Sequence, residues 1–544
     1  MSHYTARRSL LLFAIIILAG CGGGTRHDAP PAGGPDSAQA PLILAGLPPL
    51  PEGRAASATE ETEISGSNTC DRSANAINDG NSLELVSGSD ALSWGIWRIH
   101  QPLLFITGIE VVLDVPAGEE AWIALSDYSR GTWDLEGPVT AGRTLVPDEA
   151  RHRSEQGDLY LAVVAHEGDI PTVHKLVLTT DNGWTIVTVD GAEDVGGHCS
   201  LAVIGGHPAI SYYLEDQGDL KYAWSGTVRG GDAADWTTTF VDSGAVDVGK
   251  FTSLAIVQSQ PAISYYDVSN GALRYARRNA TLPPDPPTWS RVIVDTDDYG
   301  TDVGKYSSLA VVDGRPLISY YDYSNHDLRH AVSMTTTGTD ASDWVTYVTD
   351  GDDEVGKCCS LAVVDGSAAV SYYDTSEERL KYKRFGDPAT VTVHVIEECW
   401  EPITSLAVVA GAPAIAYPSN STSGLVYSRS STPHGSDAGD WTHRGIDPGA
   451  EVGWGASLAV VDGRPAIAYR YVDYYGPGSS LLMFAWSSGP TGMNWEDWGK
   501  VLVDGGEDEC TGHSASLAEV DGLPAIAYHD ANAGQLKYAI RLGP

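Results

Sequence analysis

A phrase close to SLAVVDGRPLISYYDYSNHDLRHA, residues 308–331, is written seven times along this chain, and the repetition constrains the fold more than any other feature. Its anchor, Ser-Leu-Ala, begins at Ser200, Ser253, Ser308, Ser360, Ser405, Ser457 and Ser516, with spacings of 45–59 residues. One unit of that size cannot bury its apolar faces alone, so a period near 50 implies a propeller or a solenoid.

Each unit holds four strand-like pieces: SLAVV, PAISYY, LKYA and a run that opens on Trp. Turns such as Asp313-Gly314, Asp365-Gly366, Asp462-Gly463 and Asp521-Gly522 join the first two pieces, and these residue types accept positive φ in a tight hairpin. SLAVV and PAIS are apolar without alternation, which an antiparallel sheet tolerates when both of its faces are covered. Sheets packed radially as blades meet that condition. In six units the Trp precedes an acid by six residues, as in Trp184/Asp190 and Trp344/Asp350, while the fifth has Val391 and Glu397. The repeat region begins on a fourth piece and ends on a third, LKYAIRLGP. Residues 184–190 are therefore expected beside residues 536–542, closing a seven-bladed β-propeller over residues 183–544 and hiding the terminal sheet edge.

Upstream the composition changes twice. Residues 67–182 carry strand-like runs between turn residues and read as a small β-sandwich, with Trp94, Trp97, Trp122 and Trp133 as core material. The fold class is all-β. Residues 22–66, rich in Gly, Pro, Ala and Ser, read as a flexible tether. Residues 1–21 are an export signal, in which Arg7 and Arg8 precede the apolar run LLLFAIIILAG and the box Leu18-Ala19-Gly20-Cys21. That box resembles the bacterial lipoprotein signal. The resemblance implies a lipid on Cys21, a membrane partner through that anchor, and a place in the bacterial cell envelope, at the outer membrane or cell surface.

The Tyr-rich pattern SLAVVDG-x-PAISYYD…LKYA, over roughly residues 184–542, resembles propeller repeats of exported bacterial proteins, which implies the fold and little else. The sialidase Asp-box, S-x-D-x-G-x-T-W, is absent. The turns DAADW, DASDW and DAGDW occupy a comparable site, where Asp235, Asp343 and Asp440 are expected to fix turns. There is no G-x-S-x-G, H-E-x-x-H, phosphate loop or paired C-x-x-C, and no catalytic residue is assigned.

With 33 basic and 72 acidic residues the net charge is −39, which repels nucleic acid and anionic membrane surfaces. Strand reversal places the fourth-to-first connections and the second-to-third turns on one end of the ring. That end gathers acids, and the seven anchor serines begin there. Asp295, Asp297 and Asp302 are the candidate metal ligands, with calcium the expected ion and no other cofactor. The longest second-to-third turn, in the sixth unit, offers Tyr471, Asp473, Tyr474 and Tyr475 as candidate ligand-binding residues. Six cysteines remain beyond Cys21. Cys199 with Cys510, and Cys359 (or Cys358) with Cys399, are expected as two inter-blade disulfides. Together these features point to a monomeric, lipid-anchored binding or adhesion propeller for a glycan or an envelope protein. A glycan hydrolase or lyase on the acidic rim and an envelope assembly scaffold are the alternatives.

Overall fold

In the computed structural model the repeats become seven four-stranded antiparallel sheets. The structure describes residues 44, 47–50 and 63–542 with short breaks, the longest at 280–287, 297–301, 396–402, 473–479 and 506–510. The chain divides into two compact units, one mainly residues 61–100 and 109–178, the other mainly 179–544.

In the first unit a six-stranded and a five-stranded sheet supply the two layers of a sandwich. Trp97, Trp122 and Trp133 are buried, and Trp94 packs against the same cluster as Trp122 and Trp133. Part of the expected tether belongs to this unit. Leu47 is buried in that cluster, the Trp133 indole donates to the Pro48 carbonyl at 2.8 Å, and Glu63–Ser65 pairs as a strand with Thr172–Asp181. The apolar stretch around Leu44 to Leu50 has a core to join, which its Pro-rich composition concealed.

In the second unit blade one spans residues 195–242, blade two 248–295, blade three 303–350, blade four 355–395, blade five 405–447 and blade six 452–504. Blade seven is composite: residues 513–541 give three strands, and Trp184–Asp190 pairs antiparallel with Gln535–Arg541 as the fourth. This is the closure expected from the chain ends.

The anchor serines knit the ring. Each hydroxyl accepts the N–H of the leucine that follows the next blade's serine: Ser200 from Leu254, Ser253 from Leu309, Ser308 from Leu361, Ser360 from Leu406, Ser405 from Leu458 and Ser457 from Leu517. Ser516 accepts from Leu201 at 2.9 Å, which completes the circle. Such bonds satisfy backbone donors that the inner strands would otherwise leave bare.

The residue before each anchor is a second fastening. Thr252, Ser307 and Thr404 donate from their hydroxyls to carbonyls of the preceding blade, His198, Phe251 and Cys358. Cys199 and Cys359 occupy the same position and do the same with sulfur, donating to Ser514 at 2.8 Å and Tyr306 at 3.0 Å. The expected disulfides are not seen among the described residues. Both thiols are free and face a neighbouring carbonyl, and burial pushes each up to about 12, while Cys510 and Cys399 lie outside the described residues.

Candidate functional site

The acids of the rim come first, because the sequence placed the candidate site there. In the Trp-x5-Asp pieces the carboxylate accepts a buried tyrosine hydroxyl from the next blade: Tyr212 on Asp190, Tyr265 on Asp242, Tyr320 on Asp295, Tyr372 on Asp350, Tyr469 on Asp447 and Tyr528 on Asp504, all within 2.5–2.8 Å. Most also take a cation, as Lys221 does for Asp190 and Arg274 for Asp242. Burial acts against the Asp190 carboxylate, but Lys221 and Tyr212 together hold it below the usual range. Where the acid would be Glu397, outside the described residues, Tyr417 bonds instead to Ser428 of its own blade at 2.8 Å.

This occupancy bears on the candidate metal ligands. Asp295 is committed to Tyr320 and Arg329, and Asp302 to Tyr266 at 2.7 Å and Lys305 at 2.6 Å. Asp297 lies outside the described residues. Among the described residues no three His, Cys, Asp or Glu side chains are grouped to hold a metal ion. In the turns DAADW, DASDW and DAGDW the second acids, Asp235, Asp343 and Asp440, close capping boxes with Asp232, Asp340 and Asp437, the turn-fixing duty expected of them. Tyr471 pairs with Val452 and Leu481 inside blade six and packs against the core shared with blade five. Asp473, Tyr474 and Tyr475 lie outside the described residues.

The structure brings together a different group at the axial mouth on the same end. In blades one to three the inner strand bulges as it enters, and the residue two before the anchor serine takes a left-handed φ, 52° at His198, 53° at Phe251 and 55° at Tyr306; Cys358 and Ser514 of blades four and seven take the same angle, 53° each. A tight approach forces the bulge. The preceding Gly249 and Gly304, also at positive φ, lie so close to Leu220 and Leu273 of the earlier blade that a Cβ would stand 3.0 and 2.8 Å from their Cα atoms.

Three rings from three blades meet as a result. The His198 and Phe251 centroids are 4.5 Å apart, and those of Phe251 and Tyr306 4.6 Å. Behind them stand Tyr213, Tyr266 and Tyr321, at 6.2–6.4 Å from the ring of their own blade. Tyr213 and Tyr266 donate to Asp247 and Asp302, each at 2.7 Å. Lys250, Lys305 and Lys357 lie over those tyrosine rings and pair with Glu215, Asp302 and Glu354. Burial, with Lys250 and His529 nearby, pushes the His198 imidazole down to about 4, so the arc presents a neutral ring at neutral pH.

The mouth is lopsided. In blade six the equivalent residue is Gly455, where an added Cβ would meet nothing nearer than 3.9 Å, and in blade seven it is Ser514, whose hydroxyl accepts the His198 N–H. Rings from three blades thus form one aromatic arc fringed by charge pairs, an arrangement suited to a flat ligand with an apolar face and polar edges. Sequence reasoning missed the shelf. Its signal was a ring two residues before the anchor in three consecutive units, written with three different residue types.

No family model matches the sequence, and no curated protein matches it. Among solved structures, the NanB sialidase from Streptococcus pneumoniae aligns over 91% of this chain and 99% of its own, at 9% identity and a TM-score of 0.36. A Hadza microbial sialidase covers 82% of this chain and 95% of its own, at 10% identity and 0.37. An alpha-L-arabinanase from Penicillium chrysogenum, solved with arabinobiose, covers 65% and 97%, at 11% identity and 0.36. Scores this low leave the all-β propeller fold resting on the seven sheets and the ring of contacts between them.

Proposed function

We propose that the protein is a glycan-binding propeller, held at the bacterial envelope through a lipid on Cys21, and that a sugar ring lies on the arc of His198, Phe251 and Tyr306. One observation carries this reading. Three successive blades place an aromatic side chain at a left-handed position that blades four, six and seven fill with Cys358, Gly455 and Ser514, so the rings of one arc share a site that the fold itself leaves open to small residues. The rings have an apolar face for stacking, and the Lys250, Lys305 and Lys357 pairs supply donors and acceptors for hydroxyls at its edge.

The test uses that same conformation. Phe251→Gly with Tyr306→Gly relieves the backbone and removes the shelf, so the melting temperature should stay within a few degrees while binding on a labelled-glycan panel drops at least tenfold. Binding unchanged in the double variant would refute the reading. A collapse of stability would instead make the arc a packing device.

A further inference from the structure

The second-to-third turns of blades two, three and four are built alike, on the same end of the ring as the arc. The hydroxyls of Ser269, Ser324 and Ser376 accept the N–H of Asp247, Asp302 and Glu354. Asp267, Asp322 and Asp374 are buried, and each carboxylate accepts a backbone N–H from three residues on, at Asn270, Asn325 and Glu377. The residue before each serine therefore rides on the same scaffold whatever its side chain. Blade two puts Val268 there and blade four Thr375, while blade three puts Tyr323. The turn does not need a ring at that place.

Tyr323 is 50% exposed, whereas Tyr321, two residues earlier, is completely buried. The Tyr323 N–H donates to the Asp302 carbonyl at 2.8 Å, which fixes its backbone to the blade. Lys305 Nζ lies 3.9 Å from the Tyr323 centroid and 5.5 Å from that of Tyr266, and pairs with Asp302 at 2.6 Å. A cation held by its own carboxylate thus backs the ring from one side. Toward the axis, Tyr321 meets Tyr323 edge to face at 6.2 Å and Tyr306 at 6.4 Å. Tyr306, the last ring of the arc, and Tyr323 are therefore separate surfaces on either side of a buried tyrosine. The Lys305–Asp302 pair serves both, since Lys305 precedes Tyr306 in the chain and its ammonium lies over Tyr323.

We propose that Tyr323 is a second stacking platform, and that the ligand of the arc is a linear, neutral oligosaccharide running outward from the axis over blade three. The proposal rests on the glycan reading of the arc and adds to it the length and direction of the ligand. One sugar lies on Tyr306 and a later one on the exposed part of Tyr323. Lys305 and Asp302 offer a donor and an acceptor to hydroxyls between the two. A net charge of −39 repels an anionic chain, which leaves neutral sugars as the fitting class. Because both platforms stand on one rigid body, sugars joined in a chain bind as one event and more tightly than either alone.

Isothermal titration of the full chain with glucose, cellobiose and cellotetraose, and with the matching xylose, mannose and galactose series, tests it. In the series that binds, the tetrasaccharide should bind at least tenfold more tightly than the monosaccharide. Tyr323→Thr, which installs the residue that blade four carries on the same turn, should erase that gain while the monosaccharide affinity and the melting temperature stay unchanged. Tyr323→Phe keeps the ring and should keep the gain. Phe251→Gly with Tyr306→Gly should lose both the gain and the monosaccharide. Equal affinity for monosaccharide and tetrasaccharide, or a gain that survives Tyr323→Thr, would overturn the proposal and leave the reading of the arc standing. No binding in any series would overturn both.

Discussion

The Leu361 N–H is satisfied by a hydroxyl from another blade, Ser308 at 3.0 Å, and the leucine is only 8% exposed. Ser308→Ala leaves that donor without an acceptor, an omission that costs about 1–3 kcal/mol. The urea midpoint should fall with an unchanged slope. Cys359→Ser makes the opposite prediction, because Ser307 already does this work with oxygen one blade earlier. Its stability should match the parent's, and a reductant should not shift the melting temperature of either. Since burial holds the Cys199 and Cys359 thiols near 12, neither should react with a thiol reagent until the chain unfolds. Acid should act on the histidines. Burial, the leading cause for each, pushes His198, His330 and His443 down to about 4 from an ordinary 6.5. The unfolded chain binds these protons first, so their contribution is intact above pH 6.5 and is lost as the pH falls toward 4. Melting temperatures measured across that window should decline, and His198→Gln with His443→Gln should flatten the decline. Asp190 adds a later loss, since its lowered carboxylate stabilises above the usual carboxylate range and fails only as the pH drops through the folded value.

The connection that roofs the boundary between blades two and three, where the Thr337 carbonyl accepts from Tyr275, shows how a local motif becomes a long-range contact. In SMTTTGTDASDW the Asp340–Asp343 box turns the chain, Gly338 takes φ +63°, and Trp344 folds back on it. A Cβ at Gly338 would lie 2.6 Å from the Trp344 ring, whereas one at Gly314, in an Asp-Gly hairpin at φ +74°, would meet nothing within 4 Å. Gly338→Ala should therefore destabilise by about 1–3 kcal/mol more than Gly314→Ala, as overpacking adds to the shared backbone cost. Equal urea midpoints for the two variants would show that the roof is loose. These elements also mark what could be read in advance. The four pieces, their hairpins and the closing strand were legible because period, turn chemistry and apolar runs are local signals. The ties from Tyr320 to Asp295 and from Cys359 to Tyr306 were not, because each partner lies in a different unit and the repeat gives no sign of which neighbour it serves. For the same reason acids were read as a free rim when tyrosines and lysines already held them. The arc of His198, Phe251 and Tyr306 escaped because its three rings are three different residue types, and nothing local shows that successive blades bring them together.

Around the whole ring, closure rests on Trp184–Asp190, on the Ser516 hydroxyl under Leu201, and on Cys199 against Ser514. Deleting residues 184–190 bares the edge of Gln535–Arg541 and removes the acid under Tyr212, so the melting temperature should drop or the protein should aggregate, as light scattering would report. A variant that melts like the parent would mean that six blades and an open sheet suffice. The closing strand also sets an order in time. Thr188 waits for Gln535 across 347 residues of chain, so the first-made strand of the ring cannot pair until the last one has been synthesised. Blades one to six can assemble from neighbours close in sequence, and the seventh forms only when the two ends find each other. That interval leaves one strand edge open at each end of a nearly finished ring. The same clasp then governs the lifetime of the folded molecule, because a ring parts most readily at the one joint where the chain itself does not bridge the gap.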